Sequence, residues 1–297
     1  MADYDIFREQ LSIKYATYGH ALWEPSPAKP NNPVKVGDVG FIRSGKFHRL
    51  FNALLSAKDQ SNVPEHYEQL VPKFSDQICE GTLSSSHYCS DGIGVELEPN
   101  IFASDPDDFE KVTFSSSRRR GAVLCLPVDA RREDTLAKGD FSAWIVRHID
   151  RWFAFARGLG LGIERMEEII LVTGCDHTRS WTNVAFFGNQ HNAQASFGVK
   201  VVCGPAISIN WQPLPERVQG AVIHRGPGGT DLPEDQCVFI RGFRVARTFW
   251  LLPKHLKAAA GPSPDVGGYD CEPDMEVVSI PAASEVQDSA RDLLISL

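Results

Sequence analysis

No run of residues in this sequence is long and apolar enough to cross a bilayer as a helix, which takes about 20. The opening MADYDIFREQL carries charge where a secretory signal needs an apolar core, and no Asn-x-Ser/Thr acceptor occurs. A cytoplasmic location is therefore the expectation. Cysteine is sparse and odd in number, seven in 297 residues, so no disulfide framework is implied. There is no Cys-x-x-Cys, the nine histidines contain no His-x-x-x-His pair, and no carboxylate run has ligand spacing. No metal is expected on that basis. Nor is a phosphate cradle present, because that needs strand, glycines and then a helix N-terminus. Gly37-Asp38-Val39-Gly40 falls within a hairpin pattern, Gly158, Gly160 and Gly162 follow a helix, and Gly226-Pro227-Gly228-Gly229 leads into an acidic turn. No cofactor is expected, and no internal repeat or heptad is found.

Basic charge is also short. The net charge is −8, from 30 Lys+Arg against 38 Asp+Glu. From Gly261 to Leu297 eight acids face Arg291 alone, which is −7 and leaves the preceding body at −1. A nearly neutral body has little electrostatic pull on nucleic acid, which is excluded as a partner. The expected division is one α+β domain over 1–260 and an acidic tail over 261–297.

What the chain does have is one strongly periodic helix. Trp144, Ile145, Ile149, Trp152, Phe153 and Ala156 recur at helical spacing, predicting a helix over about 141–157 with Asp140 as its N-cap and Gly158 as its stop. A smaller N-terminal helix is predicted over Ile6–Tyr15. Val34–Arg43 and Lys46–Leu55 read as a hairpin joined at Ser44-Gly45. Further strands are predicted at Phe74–Cys79, Gly92–Glu98, Glu110–Phe114, Ala122–Pro127, Ile169–Thr173, Trp181–Phe187, Ala193–Cys203, Ala221–His224 and Cys237–Trp250. In the 193–203 segment Ala195, Phe197, Val199 and Val201 alternate with Ser196 and Lys200, the pattern of a half-buried antiparallel strand. Met275–Ile280 is short and isolated. The fold class is α+β, a mainly antiparallel twisted sheet with hairpins.

Gly174–Ser180, GCDHTRS, is the densest group of reactive side chains and reads as the polar turn of a hairpin. Cys175 as nucleophile, His177 as its base and Asp176 as the orienting carboxylate are the catalytic candidates. Against that stands the ordinary use of Asp, His, Thr and Ser in turns, and this plainer reading weighs more. Whether the protein is an enzyme is left open. Arg118, Arg119 and Arg120 form one basic group, and Arg241, Arg244 and Arg247 another, either able to meet an acidic partner, an anionic membrane surface or the acidic tail. Solvated faces are the plain alternative.

The stretches GHALWEP (Gly19–Pro25), VGDVGFIRSGKFHRLFN (Val36–Asn52), EEIILVTGCDHTRSWTNVAF (Glu167–Phe186) and DQCVFIRGFRVARTF (Asp235–Phe249) resemble a large family from mushroom-forming fungi. That family has no assigned reaction, so the resemblance transfers no residue role. It implies a part in recognition or self/non-self defence. The outline of helix, IILVTG strand, long hairpins and a short tail is similar to gasdermin-type pore-forming proteins at the level of fold. The leading expectation is a cytosolic, non-enzymatic recognition or regulatory protein with a protein or small-molecule partner. The alternatives are a pore former kept soluble by its acidic tail, for which a membrane is the partner, and an enzyme using Cys175 or His177.

Overall fold

The structure, a computed structural model, describes residues 2–29, 32–73, 78–98, 109–116, 118, 120–187, 195–202, 209–210, 221–227, 232–247 and 275–279. Helix α1 (Asp3–Lys14) comes first, followed by β1 (His20–Ala21), β2 (Asp38–Arg43) and β3 (Lys46–Asn52). Next are β4 (Ile78–Leu83), β5 (Ser86–Cys89), β6 (Ile93–Glu98), β7 (Phe109–Ser116), β8 (Arg120–Leu126) and β9 (Ala130–Thr135). Helix α2 (Lys138–Gly158) leads to β10 (Ile170–Thr178), β11 (Thr182–Phe187), β12 (Ala195–Val202) and β13 (Ile209–Asn210). The last strands are β14 (Ala221–Arg225), β15 (Gln236–Arg247) and β16 (Met275–Ser279). All described strand pairs are antiparallel, as expected of an α+β chain rich in hairpins.

Strand β10 is the axis of the largest sheet. It pairs with β15 on one side, and on the other with β2 near its start and β9 near its end. The β2–β3 hairpin forms where the sequence places it. Ser44 and Gly45 both have positive φ, 50° and 75°, the two-residue turn whose twist matches paired strands. The 174–180 turn does not exist as expected. Gly174–Thr178 continues β10, every residue of it buried, and the chain reverses at Arg179–Trp181 instead. Burial is tolerated because Asp176 is held by Arg132 and Arg241 of the neighbouring strands, His177 bonds Val34 O and Thr178 bonds Ser180 O.

Helix α2 buries Phe141, Ile145, His148, Ile149, Trp152 and Ala156 and packs on β15, β10 and β16. Each large apolar side chain so buried contributes about 1.5–3 kcal/mol. Its ends differ from expectation. The helix starts at Lys138, and the Asp140 carboxylate accepts the Lys73 backbone N–H at 3.2 Å, so it does not serve as the cap. The left-handed residue after the helix is Gly160, with φ 68°, two positions past Gly158. Helix α1 covers a different surface, β8 and β11, where Phe7 and Leu11 join Trp23, Leu124 and Trp181 in a second core.

Two four-stranded sheets complete the fold, ordered β14-β11-β8-β5 and β13-β12-β7-β6. The strands of one precede or follow those of the other in the chain at every position. Their described strands pair as two hairpins, β5–β6 with β7–β8 within 86–126 and β11–β12 with β13–β14 within 182–225, lying side by side through β8–β11 and β7–β12. In the acidic tail, Met275–Ser279 is not isolated. It zips onto the Phe243–Arg247 end of β15, with Arg244 opposite Val278 and Arg247 opposite Met275. The rest of the tail lies outside the described residues.

Candidate functional site

The chemistry-bearing residues converge where β9, β10 and β15 run together. Successive strand residues point to opposite faces, so Asp176 leaves one side of β10 while Cys175 and His177 leave the other. The three therefore do not form a catalytic row, and Asp176 does not orient His177.

On the Asp176 face a closed ion network is built from three strands. Arg132, in register with Asp176, grips it through Nε to Oδ1 at 2.8 Å and Nη2 to Oδ2 at 3.0 Å. Arg241 grips the same carboxylate through Nη1 to Oδ2 at 2.9 Å and Nη2 to Oδ1 at 3.1 Å. Arg241 also donates to Asp134 Oδ1, to Tyr18 O at 3.1 Å and to Glu133 O at 3.3 Å. Those five bonds use all five guanidinium N–H groups. Burial works against the Arg241 charge, and the bonds to Asp176 and Asp134 outweigh it, so its pKa is raised. The Arg132 pKa rises chiefly through its bond to Asp176. Gly174 makes the crossing possible, since a Cβ there would collide with Asp134 Oδ1 and Arg241 Nε. Arg241, a binding candidate by sequence, is consumed inside the sheet.

The other basic candidates scatter. Arg244 is half-buried against β16, and Arg247 sits opposite Met275 with its side chain outside what is described. Arg118 is exposed beside Gly92, Arg120 lies over the Phe187 ring at 5.4 Å, and Arg119 falls outside the described residues.

On the opposite face Cys175 is fully buried, with Sγ 3.8 Å from Val34 O and 3.9 Å from Glu133 Oε2. Burial, with Cys237 nearby, pushes its thiol well above the usual range. A nucleophilic thiol needs access and a lowered pKa, and this one has neither. His177 donates from Nε2 to Val34 O at 2.8 Å, and burial lowers its pKa, keeping the ring neutral. Sequence reading missed Arg132, Glu133 and Asp134, because a strand charged on both faces shows no hydrophobic alternation.

Val34 is positioned by a second buried pair. Asp38 accepts from Lys35 N and from Asn52 Nδ2, both at 2.8 Å, and faces Arg49 Nε at 3.0 Å. Arg49 Nη2 in turn donates to Asn32 Oδ1 and Pro33 O, both at 2.6 Å. Asn32, Val34, Lys35, Asp38 and Arg49 line a cleft of about 340 Å³. Burial pushes the Asp38 carboxyl up to about 6, against the pull of Arg49. The folded state thus binds this proton more tightly than the unfolded chain. Its contribution, about 3 kcal/mol, is complete below roughly pH 4 and is lost as pH rises through 6. Urea titrations from pH 4.5 to 7.5 are expected to show this loss in the native chain and not in Asp38→Asn.

No protein-family model matches the chain, and no curated protein does. Among solved structures, the chain is similar to the cryo-EM structure of the Gasdermin A3 membrane pore, at 8% identity over 75% of this chain and 86% of that one, with a TM-score of 0.24. A likeness of that size carries no argument about function. The fungal resemblance rests on the four sequence stretches alone.

Proposed function

We propose that this is a pore-forming protein whose two paired hairpins, 86–126 and 182–225, insert into a membrane as β-strands. The observation that carries this reading is the register of β6, β7 and β12. Val95 and Phe197 both stand opposite Phe114, and Leu97 and Val199 both stand opposite Val112. In the intervening rows Glu96 stands opposite Thr113, Ser196 opposite Ser115 and Lys200 opposite Lys111. Apolar and polar rows thus alternate in phase across three strands, as a membrane barrel requires of its lipid and lumen faces. Four of the exposed large apolar residues, Val95, Phe187, Val222 and Ile223, also belong to these hairpins. No described helix is long and apolar enough to cross a membrane, so strands would be the spanning element.

The tail is the restraint in this reading. Its strand β16 occupies the β15 edge beside α2, and its −7 charge disfavours approach to an anionic surface. This role is preferred to recognition in fungal self/non-self defence, which no described surface singles out. It is also preferred to catalysis by Cys175 or His177, whose burial argues against it.

The test is dye release from anionic liposomes by the full chain and by a chain ending at Gly261. Shortening the chain is expected to start leakage. A Val95→Lys change in the shortened chain is expected to slow it about 30- to 1000-fold, the equivalent of 2–4 kcal/mol for a cation on a lipid-facing strand. Val95 is 41% exposed, so the same change should leave the melting temperature within a degree or two. Silence of the shortened chain at micromolar concentration, with its melting transition intact, sinks the proposal.

A further inference from the structure

We propose that Glu133, Cys175 and His177 form a binding site for one zinc-like divalent cation at the joint between β9 and β10. Strand geometry gathers the set. Cys175 and His177 are two apart on β10 and share a face, and Glu133 is the β9 residue in register with Cys175. One ligand-capable atom of each residue lies within 4.8 Å of the other two. Ligands around tetrahedral zinc, at bond lengths of about 2.0–2.3 Å, stand roughly 3.5 Å apart. The 3.9 Å between Cys175 Sγ and Glu133 Oε2 is already close to that.

An independent observation points to a ligand. Donation from His177 Nε2 to Val34 O fixes the tautomer, so Nδ1 carries the free lone pair. That Nδ1 is buried without a hydrogen-bond partner, in a residue only 1% exposed. An unsatisfied buried polar atom costs about 1–3 kcal/mol unless something binds it. Orientation of an imidazole by a backbone carbonyl on its other nitrogen is also how metal-bound histidines are held. The carboxylate is oriented likewise: Arg131 Nη1 holds Glu133 Oε1, leaving Oε2 toward the thiol.

The donor set selects the metal class. A thiolate, an imidazole and a carboxylate suit zinc and its neighbours, whereas magnesium and calcium prefer oxygen throughout. Three protein ligands leave a fourth position for water or another donor. The thiol proton leaves when the metal binds, so affinity falls as pH falls. Bound metal would tie β9 to β10 and, through Val34, to the segment held by Asp38 and Arg49. None of this depends on the membrane reading.

Cobalt(II) is the probe, titrated into the full chain after chelation. About one cobalt per chain, with thiolate-to-cobalt charge-transfer absorption that zinc abolishes by displacement, is the expected result. Cys175→Ala should eliminate that absorption, His177→Gln and Glu133→Gln should weaken binding at least about 100-fold, and Cys125→Ala should change nothing. Melting curves without metal establish that each variant is folded. If Cys175→Ala fails that check, Cys175→Ser keeps the shape and must still lose the sulfur band. Absence of the band in the full chain, or its survival in a folded Cys175 variant, overturns the site.

Discussion

Asp176→Ala is expected to lower the unfolding free energy by about 3–5 kcal/mol, because it strands Arg132 and Arg241 without their shared carboxylate. Asp176 is fully buried, and the Arg241 side chain is 14% exposed, so water cannot replace the lost partner at Arg241. Asp176→Asn should be nearly as costly. It keeps the shape but turns one acceptor into a donor facing guanidinium N–H groups. A small loss in the alanine variant, under 1 kcal/mol by urea titration, would show that the network relaxes around the gap. The complementary experiment replaces Arg132, Asp176 and Arg241 together by apolar residues of similar volume. Removing the buried ions as a set is often neutral or stabilising, so the triple variant is expected to be more stable than Asp176→Ala. The network's evident structural consequence is register: it fastens β9, β10 and β15 at the point where Gly174 lets Arg241 and Asp134 meet across the middle strand.

This centre was the least legible part of the sequence, for a physical reason. The β2–β3 hairpin shows in the letters because one face is apolar and Gly45 supplies a left-handed turn residue. Helix α2 shows because its buried face repeats at 3.6 residues. Its ends were misread because a cap depends on where a side chain goes, and Asp140 goes to Lys73. Gly174–Thr178 looks like a turn because Asp, His and Thr are turn residues whenever their partners are local. Only Thr178 keeps a local bond, to Ser180 O, whereas the partners of Asp176 and His177 are Arg132, Arg241 and Val34, between 44 and 143 positions away. Strand β9, ARREDT, hides for the matching reason: both its faces pair charge with charge, so no alternation of apolar and polar marks it. Likewise β16 is a strand only because the edge of β15 is there to receive it. A nearly neutral body was readable from composition, and the alternation of 193–203 marked the strand on which the membrane reading now rests.

The base of the second hairpin is where that reading meets the energetics. Trp181 is 1% exposed, donates from Nε1 to Gln236 Oε1 at 3.2 Å and meets the His224 ring edge-on at 5.3 Å. Its own carbonyl accepts the Gly226 N–H at 3.0 Å, and a Cβ on Gly226 would collide with the indole. His224 also stacks on Trp23 at 5.6 Å, and Asn183 Nδ2 donates to Trp23 O at 2.8 Å. Both strands that leave the body for the hairpin are thus pinned to the 22–25 segment through one aromatic stack. Trp181→Ala is expected to destabilise the fold by about 3–5 kcal/mol through the lost burial and the cavity left behind. Trp181→Phe, which keeps most of the ring contact, should lose about half that or less. If the hairpins must leave the body to insert, the same cost is removed from the opening step, so Trp181→Ala in the chain ending at Gly261 should leak faster than its parent at equal lipid. Measured together, the two quantities separate the possibilities. A lower melting temperature with faster leakage fits release of the hairpin, whereas a lower melting temperature with slower leakage means the stack is needed in the inserted form and places the moving joint elsewhere.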